Sequence, residues 1–209
     1  MLKSRLCIAF FAFAVGCAPA QKPLTDYVNP MLGTATLWDS VDLGFKPTKR
    51  TWGAEVFPGS SLPNAMVQVS PVTRFHSGAG YQYEDSVIYG FTHTNKGHWN
   101  LCHIPLLPVT GTPTPGDYCS PFSHERESAA PGYYQVFLDR YGVDAQLSST
   151  LRCAFHKYTY PAGAAASLLA DLQRSNEHVR AWDIRKEGDN VFAGWQQTGE
   201  KMYFYAVAN

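Results

Sequence analysis

Short alternations of apolar and polar residues, separated by turn-forming residues, recur along most of the chain. The alternation is clearest in Gly132–Leu138 (GYYQVFL) and Arg152–Tyr160 (RCAFHKYTY), where every second side chain faces the same side of a strand. No window longer than about ten residues has the 3.6-residue apolar period of an amphipathic helix. Many short strands at roughly ten-residue spacing predict an all-β fold, an antiparallel β-sandwich.

Further segments have the composition of strands and are bounded by proline, glycine or charged turns. They are Ala65–Ser70, Gly80–Gly90, Ile104–Thr110, Val143–Ser148, Ala164–Ala170, Val179–Lys186, Asn190–Gln197 and Lys201–Ala208. Two prolines predict that Ile104–Thr110 is an edge strand or a distorted one, because proline has no amide hydrogen to donate to a neighbour. Tyr81 and Tyr83 are two residues apart and would share one face of a strand. Ser175–His178 (SNEH) is predicted to be a turn.

The first residues are typical of a secretory signal peptide. Lys3 and Arg5 precede the apolar run Leu6–Val15, and small residues follow it. Ten helical residues span only about 15 Å, roughly half of a bilayer's hydrocarbon core, so this run is too short for a transmembrane helix. We therefore expect an exported protein with a signal peptide at 1–17, a polar tether at 18–30 and one β-sandwich domain at 31–209.

Ala14–Cys17 (AVGC) resembles a bacterial lipobox, in which the cysteine becomes the lipid-carrying first residue. The alternative is plain cleavage after Ala18 or Ala20, with release into the periplasm. We favour lipidation of Cys17, which predicts a periplasmic or outer-membrane lipoprotein that meets the membrane only through this anchor. A lipid chain contributes about 0.8 kcal/mol per buried methylene, so this choice decides membrane attachment.

The charge balance and the cysteines narrow the range of functions. Lys plus Arg number 17 and Asp plus Glu number 17, so the net charge is zero and nothing suggests nucleic acid as a partner.

Beyond the signal region, Cys102, Cys119 and Cys153 remain. An exported protein permits a Cys102–Cys119 disulfide, and at least one of the three is expected to be a small buried thiol.

The stretch Ile88–Trp99 (IYGFTHTNKGHW) ends in many hydrogen-bonding groups, which suit a metal site, a sugar site or an ordinary polar turn. His93, His98 and His103 follow one another at intervals of five. A five-residue step suits neither a zinc pair on a helix nor one face of a strand, so we expect no bound transition metal. A sugar needs neutral donors and acceptors beside an aromatic surface, and this stretch offers the former.

Four ordered blocks resemble the N-terminal domain of glycoside hydrolase family 92: YVNPMLGT, EVFPGSSLPNAMVQVSP, GYQYEDSVIYGFTHTNKGH and LLPVTG. The resemblance covers about residues 26–209. It implies an exo-acting α-mannosidase of the kind abundant in gut Bacteroidetes. The N-terminal domain would be a large β-sandwich of the galactose-mutarotase-like type (a supersandwich), packed against a C-terminal (α/α)6 barrel. The substrates would be mannose-terminated glycans.

The resemblance also implies calcium dependence and inversion at the anomeric carbon, with the catalytic carboxylates and calcium ligands in the barrel. Inversion requires two carboxyl groups about 6.5–9.5 Å apart, and no motif in this chain groups such a pair. We therefore assign no catalytic residue and no metal ligand here. The chain stops inside an alternating aromatic segment, MYFYAVAN, which predicts a fragment truncated before the barrel and inactive alone. The alternative is a stand-alone exported carbohydrate-binding lipoprotein.

The substrate-binding residues are implied by three local matches to the family. Phe57-Pro58-Gly59 resembles the family's FPGA loop, and His93-Thr94 resembles its GFSHTH block. The pair Phe75-His76 falls where many members carry a tryptophan that stacks on the sugar. A glycine in such a loop allows close backbone approach to a ligand or a positive φ, and the histidine either bonds a mannose hydroxyl or caps a strand turn. The implied residues are Phe57, Gly59, Phe75, His76, His93 and Thr94.

Overall fold

The computed structural model describes residues 22–36, 55–96 and 99–209. The signal region with Cys17 and the histidine at 98 lie outside these residues. The strands of the described part are β1 (Ser60–Ser61), β2 (Gln68–Val72), β3 (Val87–Ile88), β4 (Gly90–Thr92), β5 (Asn95–Lys96), β6 (Trp99–Asn100), β7 (Leu106–Thr110), β8 (Ser120–Pro121), β9 (Glu127–Ala130), β10 (Tyr133–Leu138), β11 (Val143–Ser149), β12 (Ala154–Thr159), β13 (Ala166–Ala170), β14 (Ala181–Lys186), β15 (Val191–Gln197) and β16 (Lys201–Val207). Its helices are short 3-10 turns, Leu24–Tyr27 and His124–Arg126.

Two antiparallel sheets form the body of the domain. The first has the order β1-β2-β4-β7-β13 and the second the order β12-β11-β10-β9. A third sheet, β14-β15-β16, and the small pairs β3-β8 and β5-β6 are attached to them. Every strand pair is antiparallel. The predicted all-β class and antiparallel β-sandwich are confirmed.

The core lies between the first two sheets, and every second side chain of their strands points into it. The inward positions of β10 and β11 are fully buried while their neighbours are not. Each large apolar side chain contributes about 1.5–3 kcal/mol by leaving water. The core residues from the two sheets are Val69, Phe91, Leu107, Val109, Tyr134, Val136, Leu138, Val143, Ala145 and Leu147.

The third sheet is joined to this body through the completely buried side chain of Gln196. Its amide oxygen accepts from the Ile104 N–H (2.8 Å), and its amide nitrogen donates to the carbonyls of Leu172 (3.0 Å) and Arg174 (2.8 Å). These contacts link β15 to two loops at the edge of the sandwich. They fix where the turn after β15 lies relative to the rest of the domain.

One strand prediction is wrong, and of the two alternatives for Ile104–Thr110 the edge strand is excluded. Tyr81 and Tyr83 are not in a strand, and Tyr81 is fully buried whereas Tyr83 is 40% exposed, so they share no face. The strand β7 lies inside the first sheet rather than at its edge. Its pairing with β4 involves only Leu106 opposite Phe91, so Pro108 has a paired strand on one side alone.

The three cysteines of the described part differ in exposure. Cys102 is buried, Cys119 half-buried and Cys153 exposed, and all three are free thiols, so no Cys102–Cys119 disulfide is present. Burial raises the pKa of the Cys102 thiol to about 12. Among the residues described, no helix has the length and apolar character needed to cross a membrane.

Candidate functional site

Gly59 and His93 lie on opposite sides of β2 in the first sheet, and Phe57 lies two residues before Gly59. Gly59 directly precedes β1, which pairs with the start of β2. On the other side of β2, the Gln68 N–H donates to the His93 carbonyl at 3.1 Å. Because β1 runs antiparallel to β2 with Ser60 opposite Val69, Gly59 lies beside Ser70, and β2 alone separates it from His93.

Gly59 is required by a close approach between two segments of the chain itself. A Cβ at this position would lie 2.1 Å from the Val69 carbonyl oxygen and 2.6 Å from Ser70 Cα. Its φ is outside the left-handed region, so the positive φ considered from sequence is wrong. The glycine lets β1 and its preceding loop pack directly on β2.

His93 belongs to a chain of hydrogen bonds that crosses between the two main sheets. Its Nδ1 lies 2.9 Å from the Ile104 carbonyl, which can only accept, so Nδ1 carries the proton. Its Nε2 therefore accepts from Nε2–H of His156 (3.0 Å), whose Nδ1 accepts from the Tyr158 hydroxyl (2.7 Å). Burial lowers the pKa of His93 to about 4 and that of His156 well below its ordinary value. Both rings are neutral at pH 7, and both ring nitrogens of His93 are engaged within the domain.

Thr94 begins a second chain, which passes through buried His103 and ends at a carboxylate. The Thr198 hydroxyl donates to Glu177 Oε2 (2.5 Å) and so accepts from His103 Nε2–H (2.9 Å). His103 Nδ1 then accepts from the Thr94 hydroxyl (2.9 Å). Burial lowers the pKa of His103, and the nearby Glu177 charge opposes this shift. The buried hydroxyl of Thr94 is thus connected to Glu177, whose side chain is 40% exposed.

His76 joins the same cluster through buried Asn176. The His76 backbone N–H donates to the Asn176 side-chain oxygen (2.6 Å), and its ring Nδ1–H donates to the Asn176 carbonyl (3.2 Å). The Asn176 side-chain nitrogen donates to the Asn100 carbonyl, and its backbone N–H donates to the Leu101 carbonyl. Leu101 in turn donates to the Thr94 carbonyl at 3.2 Å. The structure therefore brings His76 and Thr94 together, although neither touches the other.

The backbone is strained in the loops that carry His76 and the residues bonded to Thr94. His76, Cys102 and Ile104 have φ values of +60°, +52° and +53°, which are rare for residues with a side chain. Such positions cost about 1–3 kcal/mol each and persist only where the surroundings hold them. Here the side chains of Asn100 and Gln196 accept the N–H groups of Cys102 and Ile104, both at 2.8 Å. We call this cluster the loop junction; it comprises His76, Thr94, Asn100–Ile104, Asn176, Glu177 and Thr198.

Phe75 lies outside the loop junction and lines a shallow pocket of about 470 Å³. Its ring is tilted against Tyr89 at 5.8 Å, and the Arg174 guanidinium lies 5.8 Å from one ring and 5.7 Å from the other. The pocket also carries the ion pair between Arg74 and Asp85. It lies beyond the end of β2, whereas His93 lies at the start, and its lining includes none of the other five predicted residues.

Sequence reasoning missed several residues that organise the loop junction and the histidine chain. Asn176 and Glu177 were part of a segment predicted as a plain turn, and their partners lie far away in sequence. His156 had a usable signal, because it occupies an inward position of an alternating strand beside Ala154 and Tyr158. A histidine at such a position requires a polar partner inside the domain.

The residues of the described ranges do not fit a metal. Within 22–36, 55–96 and 99–209, no three histidine, cysteine, aspartate or glutamate side chains come together as a cation site. Calcium takes six to eight oxygen ligands, which this part of the chain does not assemble.

Comparison with known proteins identifies the family. Residues 27–209 match the glycosyl hydrolase family 92 N-terminal domain, so the chain belongs to this family. No curated protein matches the chain.

Solved structures of the same family have the same fold. The chain is similar to the family GH92 α-mannosidase BT3965 from Bacteroides thetaiotaomicron, with 28% identity and a TM-score of 0.73 over 88% of this chain. It resembles the family GH92 inverting mannosidase BT2199 from Bacteroides thetaiotaomicron VPI-5482, with 25% identity and a TM-score of 0.69 over 89%. The GH92 glycosyl hydrolase ccman5 matches 71% of the chain at 28% identity and a TM-score of 0.60. The chain spans about a quarter of these proteins, covering 25%, 25% and 23% of their lengths.

Proposed function

We propose that this chain is the N-terminal domain of an exported, calcium-dependent, inverting α-mannosidase that removes terminal mannose from glycans. The domain contributes one wall of the mannose site, and a C-terminal barrel domain contributes the other. Its family membership supports this proposal, as does its similarity to structures named as an α-mannosidase and an inverting mannosidase.

The observation that carries the binding role is the loop junction. It holds neutral donors and acceptors from distant parts of the sequence in fixed positions at one place on the domain. Most of these groups are buried and bond to one another, so they hold the loops in place, and a sugar would be bound by the side chains that these loops present at the surface. The strain at His76, Cys102 and Ile104 has no role in the sandwich core and is typical of functional sites.

The proposal assigns no catalytic acid or base to this chain, because several described carboxylates already have structural partners. An inverting pair must face a substrate and a water molecule. The carboxylates with structural partners and those partners are Glu84 with Thr36, Asp85 with Arg74, Glu127 with Tyr81 and Tyr134, Asp139 with Arg126 and Asp171 with Tyr118. We place the catalytic pair and the calcium ligands on the C-terminal domain.

A binding and hydrolysis experiment tests this function. The purified chain is titrated with methyl α-mannoside in an NMR experiment, with methyl α-galactoside as the control sugar. It is also incubated with α-mannobiosides with and without calcium. We expect selective binding of the mannoside and no release of mannose. Sustained calcium-dependent release would refute the inactivity of the chain, and equal or absent binding of both glycosides would refute the binding wall.

Export and lipid attachment are tested separately from sugar binding. We propose that Cys17 carries the lipid and that the protein resides in the periplasm or on the outer membrane. Expression in a bacterial host with radiolabelled palmitate should label the wild-type chain and a Cys7→Ser control. Cys17→Ser should abolish the label. Label that survives this substitution would refute the anchor.

A further inference from the structure

We infer that two copies of this chain associate through β16, whose free edge pairs antiparallel with the same strand of the second copy. The third sheet has three strands, so the pairing would join two such sheets into one continuous sheet of six strands. This inference goes beyond the proposed function, because it concerns a surface outside both the loop junction and the Phe75 pocket. It depends on the backbone, the exposed side chains and the internal symmetry of β16.

The strand β16 has one side without a partner strand. The third sheet has the order β14-β15-β16, so β16 pairs with β15 alone, along all seven residues from Lys201 to Val207. In the part of the chain that the structure describes, no hydrogen bond joins the other side of β16 to another segment. The pairing with β15 extends beyond the strand, where the Ala208 N–H donates to the Asn190 carbonyl at 2.8 Å. The free side therefore offers a row of backbone donors and acceptors that an added strand satisfies together.

The other edge strands of the three large sheets are protected against such pairing. Short length and charged side chains are the usual protection of an edge strand. The strands β1 and β9 have two and four residues, and β12 and β14 carry charges such as Lys157, Asp183 and Arg185. In β13, which has five residues, the Ser167 carbonyl already accepts from the Tyr160 hydroxyl at 2.8 Å. Among these edges, β16 is the longest and the most apolar.

The one charged side chain of β16 is held away from the free edge. Lys201 Nζ lies 3.6 Å from the centre of the Trp195 ring, on the neighbouring strand β15, and 5.4 Å from the Tyr203 ring. Attraction to the face of the indole ring keeps the ammonium group there. The remaining side chains on this face of β16 are exposed and apolar or aromatic: Tyr203 at 70%, Tyr205 at 67% and Val207 at 58%. The lysine therefore does not protect the edge that these residues line.

The sequence of β16, KMYFYAV, is self-complementary about Phe204. When Phe204 lies opposite its own copy, all seven residues are paired, and Tyr203 of each copy lies opposite Tyr205 of the other. Aromatic residues directly opposite each other are favourable cross-strand pairs. A shift by one residue would place the tyrosines of the two copies on opposite faces, and a shift by two would pair fewer residues. The chain has no net charge, so two copies do not repel each other.

Sedimentation velocity of the purified chain at about 2 to about 200 µM tests the inference, because an interface this small should form a reversible dimer. We expect the dimer fraction of the wild type to rise with concentration. Tyr203→Lys combined with Tyr205→Lys places lysine opposite lysine twice and should weaken dimerisation at least about tenfold. Leu24→Lys combined with Tyr27→Lys adds the same two charges at exposed residues outside the strands. This control should stay within about twofold of the wild type.

The register is tested by Tyr203→Lys combined with Tyr205→Glu. In the inferred pairing, the lysine of each copy lies opposite the glutamate of the other, so this variant should dimerise at least about tenfold more tightly than the double-lysine variant. It changes the same two positions and so also controls for effects on folding. Equal association of the two double variants would show that Tyr203 does not lie opposite Tyr205 of the second copy.

Amide hydrogen exchange of the wild type gives a measurement that depends on no variant. Residues 201–207 should exchange more slowly at the high concentration, and residues 143–149 should exchange at the same rate at both. A chain that stays monomeric leaves this edge to a different occupant and overturns the inference. A dimer that survives the double-lysine substitution, or a species larger than a dimer, contradicts a two-fold pairing that closes on itself. None of these outcomes bears on mannose binding, which the glycoside titration tests separately.

Discussion

The Nε2 atoms of His93 and His156 lie 3.0 Å apart and connect the two main sheets. His93 follows β4 of the first sheet, and His156 lies in β12 of the second. The bond needs one proton between two neutral rings, because two protonated rings would present hydrogen to hydrogen and repel each other. The stability of the sandwich is therefore linked to the protonation of this pair.

Acidification should destabilise the domain. The pKa of His93 is lowered from 6.5 to about 4 in the folded state, so the unfolded chain binds more protons between these values. Stability present above pH about 6.5 should be lost as the pH falls through this window, with His93 alone contributing about 3 kcal/mol. Urea unfolding between pH about 7.5 and about 5 measures this slope. His93→Gln should reduce this slope, leaving the part due to His156 and His103, and His178→Ala should not change it; an unchanged slope in His93→Gln would contradict the assignment.

Removing the charge of Glu127 should destabilise the core. This carboxylate is 1% exposed and accepts from the hydroxyls of Tyr81 (3.0 Å) and Tyr134 (2.6 Å) and from His124 Nδ1 (2.5 Å). Glu127→Gln replaces an acceptor that serves all three donors by an amide with its own donors, at a cost of about 3 kcal/mol. Glu125→Gln, in the 3-10 turn just before Glu127 but exposed, is the control for denaturant unfolding. Equal stability of the two variants would show that the network contributes little.

Alanine should be excluded at Gly59 by the adjacent strand. The added Cβ would meet backbone atoms at 2.1 and 2.6 Å, and backbone cannot move aside as a flexible side chain can. We expect Gly59→Ala to lower the free energy of unfolding by about 3 kcal/mol or more. Gly188→Ala, where the nearest contact is an ordinary 3.5 Å from Val191, should be nearly neutral. Thermal unfolding followed by circular dichroism compares them, and a stable Gly59→Ala would mean that β1 is not held against β2.

The attachment of the third sheet should depend on Gln196. Gln196→Ala leaves a buried amide and two buried carbonyls without their partners, which should cost about 2–4 kcal/mol. Gln197→Ala, on the opposite face of β15, should cost less than about 1 kcal/mol. Hydrogen exchange gives a second readout, because β14–β16 should exchange faster than β10–β12 in the variant. Equal exchange rates in both sheets would show that the Gln196 side chain does not attach the third sheet to the rest of the domain.

The strand segments were readable because their information is local. In β10, β11 and β12 the side chains alternate between core and surface, and a period of two is visible in any single strand. Tyr81 and Tyr83 had the same spacing and failed, because the backbone there turns instead of extending. The spacing of two residues predicts a shared face only where a neighbouring strand keeps the segment straight.

The candidate site likewise has a part that the sequence predicts and a part that only the folded structure shows. Sequence blocks alone determined the family, the β-sandwich class and the residues Gly59, His76, His93 and Thr94 as points of interest. Only the tertiary structure decided that Gly59 packs on β2, that His93 bonds to His156, and that Asn176 and Glu177 complete the loop junction. His93 and His156 are 63 residues apart in sequence, and His76 and Asn176 are 100 residues apart. A hydrogen bond requires atoms within about 3 Å in a fixed orientation, which no local pattern of residues specifies until the sheets have packed.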